Sequence, residues 1–576
     1  MEEMTEEISI TNRTMELAGC KESWFFDETY GCWCLEDILY TDRATTPKFQ
    51  RLSIYVPGPY MKEKGEKNPE GTLNGYTAES APVILCNNSA GYMQMPHMWL
   101  GGPRCTAEKY MEHGFVYVTC GNRGSESKNA KGEWCGKSPA NLVDLKTVIR
   151  FLRHNAACIP GNLDRIVSVG SSAGGAMSSL LAVTGNNPNF VPYLEENGAF
   201  MNERDDIYAA QIYCPIVDLE HADLAYEWMF AADKENENSP AGPAGVMTPF
   251  QEALSQKLKE RYITYFNGLN LKDPDTGEPL RLEADGRSGS GYEYLMKKIN
   301  ESATVYLQKL EKGELEETYS PEDYRKGNYE YRTTAPVGDK KDQKKADLMQ
   351  GHAGPGVALR KVEDQAECPS LGDLVSRPPK GVPFVGTEPP MITVQGKEKT
   401  HWLTWDGREA RVSDLDTYVL NHRRRMKPCT SFDTLGMDSG ENRVFGSREQ
   451  HYMHFNQEIT AAIAELKEAF PEEYENYYAS YAQSAGDSEQ ERRIYLINPM
   501  NFIGTKEQSD QASFFRIRVG ASDADTSFTI SMALALKLKE TGNPVDYALV
   551  WEKPHCEADY SGELCAWIEE ICRERV

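Results

Sequence analysis

Arg165–Leu181 reads RIVSVGSSAGGAMSSLL. An apolar, β-branched run enters a turn of small residues, and a helix-forming run of Ala, Met, Ser and Leu leaves it. Gly170-Ser171-Ser172-Ala173-Gly174 matches G-x-S-x-G, the strand–turn–helix that presents one serine at the tip of a sharp turn. Side chains two before and two after that serine would collide with the neighbouring strand or helix, hence the two glycines. Gly175 relieves the crowding further. The flanking strand and helix separate this motif from an ordinary small-residue turn and make Ser172 a candidate nucleophile.

Outward from this turn the chain alternates short strands with helices. RLSIYVPGPY (51–60) is strand-like, and APVILCNNSAGYM (81–93) is an apolar run ending in a small-residue turn. GFVYVTCGNRG (114–124) repeats that design, NLVDLKTVIRFLRHN (141–155) has apolar residues at helical spacing, and IYAAQIYCPIVDLE (207–220) is the next strand. The alternation predicts a mostly parallel sheet covered on both faces. From Asp218 to about 490 the chain reads as acidic and irregular. ENENSPAGPAG (235–245) and much of 311–388, including VGDKKDQKKADLMQGHAGPG, read as loop. HWLTWDGREARV (401–412) reads as a hairpin turning at Asp406-Gly407, and QEITAAIAELKEAF (457–470) as an amphipathic helix. The alternation then resumes with SFFRIRVGAS, SFTISMALALKLKETG, DYALVWEKPH and SGELCAWIEEICRE. The expectation is an α/β-hydrolase fold: a catalytic domain of 1–217 and 491–576, interrupted by an inserted lid or substrate-binding domain, 218–490.

The bulk composition excludes several partners. The 576 residues are 40% hydrophobic and 26% charged, as in globular chains, with a net charge of −26. Such a surface repels nucleic-acid phosphate and anionic lipid, so neither nucleic acid nor membrane is expected as a partner. The acidic start, MEEMTEEISITNRT, lacks the basic and apolar regions of a secretory leader, and the expected location is cytoplasmic. The 14 cysteines then read as reduced thiols. Cys32 and Cys34 have no second pair at zinc-site spacing, so no metal is expected.

A serine hydroxyl needs a base, and this fold supplies the partners in the order Ser, then Asp or Glu, then His, on loops after strands. Of ten histidines, only His555 follows a late strand and precedes the last helix. His97, His113 and His154 come before Ser172; His221, His352, His401, His422, His451 and His454 lie in the insertion. RIRVGASDADTS offers Asp523 and Asp525 after the preceding strand. Asp523 is the expected orienting acid. Asp525 reads equally as a charge at the start of a helix opening at Thr526. Two backbone N–H groups should bind the oxyanion: that of Ala173, next to the nucleophile, and that of Gly91 in the Ser89–Tyr92 loop.

Several long stretches resemble the bacterial tannases, α/β-hydrolase esterases that release gallate from gallotannins and simple gallate esters. They include NNSAGYM, GNRG, KSPANLVDLKTVIRFLRHN, GSSAGGAMSSLLAVTGN, YCPIVDLEHADLAYEW and RIRVGASDADTS. The resemblance implies a triad of Ser172, Asp523 and His555. It also implies a galloyl ring gripped by Lys427 and Glu441 of MKPCTSFDTLGMDSGENRVFGS, and by Asp525, with Ile216 as an apolar face. From composition alone Lys427, after the basic run HRRRMK, and Glu441, in a loop, read as surface charges. The chemistry suits the ring: vicinal phenols each offer a donor and an acceptor, which two carboxylates and an ammonium can match. The chain departs from the family in a longer insertion, in Gly440 where a proline is expected beside the ring, and in Pro554 before His555.

The expected function is therefore hydrolysis of galloyl esters through an acyl-enzyme, on a small-molecule aryl ester and with no cofactor. The nearest rival is a hydroxycinnamoyl (feruloyl-type) carboxylesterase, which keeps the triad without all three ring-binding charges. An acyltransferase would share the triad, a serine peptidase lacks support in any repeat, and a non-catalytic binding protein would have a broken triad.

Overall fold

The computed structural model describes residues 23–573, apart from 63–64, 103, 236–245, 316–319, 327–331, 337–390, 394–401, 484–486 and 557. Nine strands form the main sheet: β1 (Phe25–Asp27), β2 (Cys32–Leu39), β3 (Arg51–Pro57), β4 (Pro82–Asn87), β5 (Val116–Cys120), β6 (Asn162–Ser171), β7 (Ala209–Tyr213), β8 (Phe514–Gly520) and β9 (Val545–Val550). Their spatial order is β1-β2-β3-β5-β4-β6-β7-β8-β9. From β5 to β9 every pairing is parallel, while β1, β2 and β3 add antiparallel pairings at one edge. The parallel strands are apolar runs because both their faces are covered. Every residue of β5, β7 and β8 is buried. This is the expected α/β-hydrolase architecture; the β1–β2 hairpin was not anticipated from sequence.

Helix α1 (Ala140–His154) packs against α2 (Ala173–Val183), which lies on β6 and β7. The chain leaves the sheet after β7 and returns to it at β8, the strand beside β7. Between them, the expectation of irregular chain is corrected: much of what is described is helical. It holds α3 (Leu219–Met229), α4 (Pro249–Gly268), α5 (Ser290–Glu311), α6 (Leu415–His422) and the short α7 (Gly440–Val444). A helix at Gln457–Glu465 falls inside the expected one. Thr248 starts α4 with a capping box to Gln251 and Pro249 in the first turn. Helix α5 buries Leu295, Ile299, Ala303, Tyr306 and Leu307, a helical stripe hidden among lysines and glutamates. The 401–412 hairpin forms, with Leu403–Trp405 paired to Ala410–Val412 and Asp406 Oδ1 accepting the N–H groups of Arg408 and Glu409 at 2.8 Å. Of the expected loops, 236–245 and most of 311–388 lie outside the described residues, and the described part of 311–388 corrects the expectation with a short helix, Pro321–Lys326, and a strand, Arg332–Pro336.

After β8 come α8 (Phe528–Glu540), β9 and α9 (Glu563–Arg573). Helix α8 opens at Phe528 behind an N-cap serine, Ser527, not at Thr526. Asp525 therefore belongs to the loop and is not a first-turn charge. Among the described residues no helix is long and apolar enough to cross a membrane.

Candidate active site

The Ser172 turn is as crowded as its sequence requires. Ser172 has φ 60° and ψ −125°, a conformation that L residues rarely adopt and that surrounding contacts must hold. Its N–H donates to Tyr213 O at 3.0 Å, and its carbonyl accepts from Ala176 N at 3.0 Å and Ile216 N at 3.3 Å. A Cβ on Gly170 would stand 2.3 Å from Gly174 O; one on Gly174, 2.7 Å from Asn87 Oδ1; one on Gly175, 2.5 Å from Tyr213 O. The steric reading of the three glycines thus holds atom by atom.

The expected acid and base, Asp523 and His555, sit on the loops that follow β8 and β9. A Cβ on Gly520, the last residue of β8, would lie 2.2 Å from both Lys553 O and Pro554 O. Only glycine admits that approach. Ser522 N donates to Lys553 O at 3.0 Å and Ala521 N to Val550 O at 2.8 Å, so the two loops are zipped together by their backbones. They bring His555 Nδ1 within 2.9 Å of Asp523 Oδ2. Asp523 is fully buried, and its other oxygen accepts Asp525 N–H at 2.8 Å. Burial opposes its charge, but the His555 imidazole and the Arg423 guanidinium hold its carboxyl below the ordinary value. Burial likewise opposes the imidazolium of His555, yet Asp523 and Asp525 together hold its pKa well above 6.5. Asp525 Oδ2 stands 3.8 Å from Nδ1. Among the described residues six other histidines, His97, His113, His154, His221, His451 and His454, also meet a carboxylate. Pairing alone does not single out His555; its place after β9 does.

Ala173 opens α2, where the first N–H groups have no acceptor within the helix. Gly91 lies in a short turn, Ala90–Tyr92, with φ 56°, and the turn packs against both α2 and α7. Ser89 pins this loop with its hydroxyl, which donates to Asn141 Oδ1 at 3.0 Å and lies 3.3 Å from Asn122 Oδ1. Tyr92 donates to Ile216 O at 2.6 Å, which ties it to the buried residue expected as an apolar face.

Lys427 and Glu441, surface charges by composition, are each 3% exposed. Lys427 Nζ lies 3.9 Å from Asp525 Oδ1 and 3.9 Å from the centre of the Phe432 ring. Glu441 follows Gly440 at the start of α7, where Ser439 caps the helix and Asn442 completes a capping box. Burial pushes the Glu441 carboxyl up, against the pull of the Lys427 charge. Lys427 Nζ and Glu441 Oε2 are both buried without a hydrogen-bond partner in the protein. Leaving two such groups unmatched is costly, and in a native protein that calls for an explanation. A Cβ on Gly440 would sit 3.3 Å from Gly91 O, so this glycine borders the candidate oxyanion loop.

Two residues were missed by sequence reading. Cys214 follows β7, and its Sγ, a His555 nitrogen and an Asp523 oxygen lie within 4.8 Å of one another. The trio is of a kind that can ligate metal, but burial pushes the Cys214 thiol up to about 12, so it stays protonated. Its positive φ of 40° is the one local oddity, and nothing in the sequence announces it. Tyr226 on α3 donates to Ala524 O at 3.0 Å and accepts from Lys427 N at 3.0 Å. YCPIVDLEHADLAYEW carries both residues.

Comparison with known proteins places this geometry. The BD-FAE family model matches residues 76–241. Esterase LipQ of Mycobacterium tuberculosis is 32% identical over 187 residues, 30% of this chain and 41% of that protein. Probable carboxylic ester hydrolase LipM of the same organism is 28% identical over 125 residues, 21% of this chain and 27% of that protein. The chain thus spans about two-fifths or less of the length of the curated relatives it matches. Solved structures match over nearly everything. A tannin acyl hydrolase in complex with ethyl gallate superposes with a TM-score of 0.68 at 27% identity, covering 94% of each chain. The tannase of Fusobacterium nucleatum gives a TM-score of 0.68 at 28% identity, covering 94% of this chain and 95% of that one.

Proposed function

We propose that this chain, an α/β-hydrolase of the bacterial tannase kind, is a serine esterase that hydrolyses galloyl esters. Ser172 is the nucleophile, His555 the general base and Asp523 the acid that fixes the imidazole tautomer. Ser172 Oγ attacks the ester carbonyl as its proton passes to His555. The tetrahedral oxyanion is held by the N–H groups of Ala173 and Gly91. Collapse expels the alcohol, which takes the proton from His555 and leaves an acyl-serine. Water then gives a proton to the same imidazole and attacks the acyl carbon; collapse breaks the bond to Ser172 Oγ, which takes that proton back from His555, and the acid is released. No step needs a cofactor. In this reading residues 218–490 form a substrate-binding insertion in a catalytic domain made of 1–217 and 491–576.

One observation carries the galloyl assignment. Lys427 and Glu441 are buried beside the Asp523–Asp525 loop with polar atoms unmatched by the protein. An acyl group bearing neighbouring phenols supplies donors for Glu441 and Asp525 and an acceptor for Lys427; a bare aryl group leaves the charges stranded. A site of this type rejects the analogue lacking the hydroxyls by as much as ~10⁴-fold. The ethyl gallate bound to a tannin acyl hydrolase of the same fold is consistent with it. The test is a set of rates on methyl gallate, methyl benzoate and methyl ferulate. Fast turnover confined to gallate is expected; equal or faster turnover of ferulate or benzoate would remove the ring-binding roles of Lys427, Glu441, Asp525 and Ile216 while leaving the triad.

A further inference from the structure

We infer that Tyr226 is a positioning residue for acyl-group specificity: its single hydroxyl sets the distance between the acid loop that carries Asp523 and Asp525 and the segment that carries Lys427. The inference rests on the galloyl reading and deepens it. The Tyr226 hydroxyl donates to Ala524 O at 3.0 Å, the carbonyl lying between the two aspartates. It accepts the N–H of Met426 at 3.1 Å and that of Lys427 at 3.0 Å. One donor and two acceptor positions are all a hydroxyl has, so it is fully used.

The triad does not depend on this bridge. Asp523 is held by its own N–H to Gly520 O at 3.0 Å, and its loop is zipped to the His555 loop by Ser522 N and Lys553 O. Other hydrogen bonds between the two segments do not reach Lys427: Tyr418 Oη on Ala521 O, Arg423 on Thr526 O, and Ser522 Oγ with His422 Nε2 at 3.3 Å. Among the described residues only Tyr226 reaches the backbone of both Lys427 and Ala524 with one atom. Its ring is fixed independently, with its centre 4.3 Å from that of Phe230 and the Arg425 guanidinium 5.2 Å away. Removing the oxygen therefore keeps the packing and leaves two N–H groups and a carbonyl without their shared partner.

The experiment is steady-state kinetics of wild type, Tyr226→Phe, Lys427→Met and the double variant on methyl gallate and methyl benzoate, with a crystal structure of Tyr226→Phe. Loss of a shared buried hydrogen bond predicts a rise in KM for methyl gallate of about tenfold, with kcat and the benzoate constants little changed. If Tyr226 acts through Lys427, the double variant is no worse than Lys427→Met alone. Additive losses, or a Tyr226→Phe enzyme with the wild-type KM for gallate, would overturn the inference and leave the galloyl reading standing. A wild type that does not prefer gallate would overturn that reading instead. The crystal structure then decides on Tyr226: a Lys427 Nζ still 3.9 Å from Asp525 counts against positioning, and a displaced lysine supports it.

Discussion

The carboxyl edge of the sheet and the strap from Tyr418 to Val444 are held in opposite ways. At the edge, backbone meets backbone: Gly170 against Gly174, Gly175 against Tyr213, Gly520 against Lys553 and Pro554. In the strap, charge meets charge. Arg424 Nε donates to Asp233 Oδ2 at 2.5 Å, and Arg425 pairs with Glu227, all four side chains buried. The Asp223 carboxylate gathers the N–H groups of Ser431, Phe432 and Asp433 at 2.6, 2.9 and 3.1 Å. Asp433 in turn gathers those of Phe455 and Asn456 at 2.7 and 2.8 Å. Steric fit gives a geometry that tolerates no side chain. Buried ion pairs cost desolvation and are seldom more stable than a packed apolar alternative, but breaking one is expensive. The edge is thus built for the invariance that bond-making needs. The strap holds Lys427 and Glu441 in place while leaving Lys427 Nζ and Glu441 Oε2 without a hydrogen-bond partner in the protein.

Four substitutions would break or sharpen that contrast. Ser172→Ala strikes the edge at the nucleophile: turnover of every ester is expected to fall by about 10⁴-fold or more with an unchanged melting curve. Residual turnover near wild type would remove Ser172 from the chemistry. Lys427→Met strikes the strap: kcat/KM for methyl gallate is expected to fall by about 10²- to 10³-fold, and that for methyl benzoate by no more than a few-fold. Equal losses on both esters would show that the strap, like the edge, serves the reaction and not the choice of acyl group.

Gly520→Ala tests the steric side by stability. The new methyl meets two carbonyl oxygens at 2.2 Å, and unfolding in urea should show a loss of about 1–3 kcal/mol. An unchanged midpoint would mean that the His555 loop is not held by close approach. Asp525→Asn sits where the two regions meet and should have the smallest effect, read in the pH–rate profile on methyl benzoate. The base must be neutral imidazole, so activity is lost as pH falls through the His555 pKa. Asp525 raises that pKa, and its neutralisation should move the acid limb to lower pH. An unmoved limb would mean that solvent screens the carboxylate at 3.8 Å from Nδ1.

The same contrast explains what could be read from the chain. Steric rules are local. Gly170, Gly174 and Gly175 lie within five residues of one another, and the elbow, the strands around it and the meeting of Asp523 with His555 were legible without the structure. The charge network is not local. Arg424 and Asp233 are 191 positions apart, and Arg425 and Glu227 are 198 apart. No pattern near HRRRMK says that its arginines are buried, so Lys427 and Glu441 were reachable only through the resemblance to tannases. One signal was available: Asp223 and Glu227 stand four apart on α3, among Ala222, Leu224, Ala225 and Trp228, where carboxylates on a buried helix demand partners. The apolar stripe of α5 was likewise visible in principle, but its lysines and glutamates made the segment read as irregular.

The route of the chain between β7 and β8 has a consequence for descent. Those strands are parallel hydrogen-bonded neighbours, so the polypeptide departs at Tyr213, the carboxyl end of β7, and re-enters at Phe514, beside Ala209 at the other end of that strand. A stretch joined to its host only at the ends of two paired strands can lengthen or shorten while those strands keep their register. On the proposed reading, the residues that make and break the bond and those that choose the acyl group can then be inherited on separate terms, with drift in one leaving the other intact.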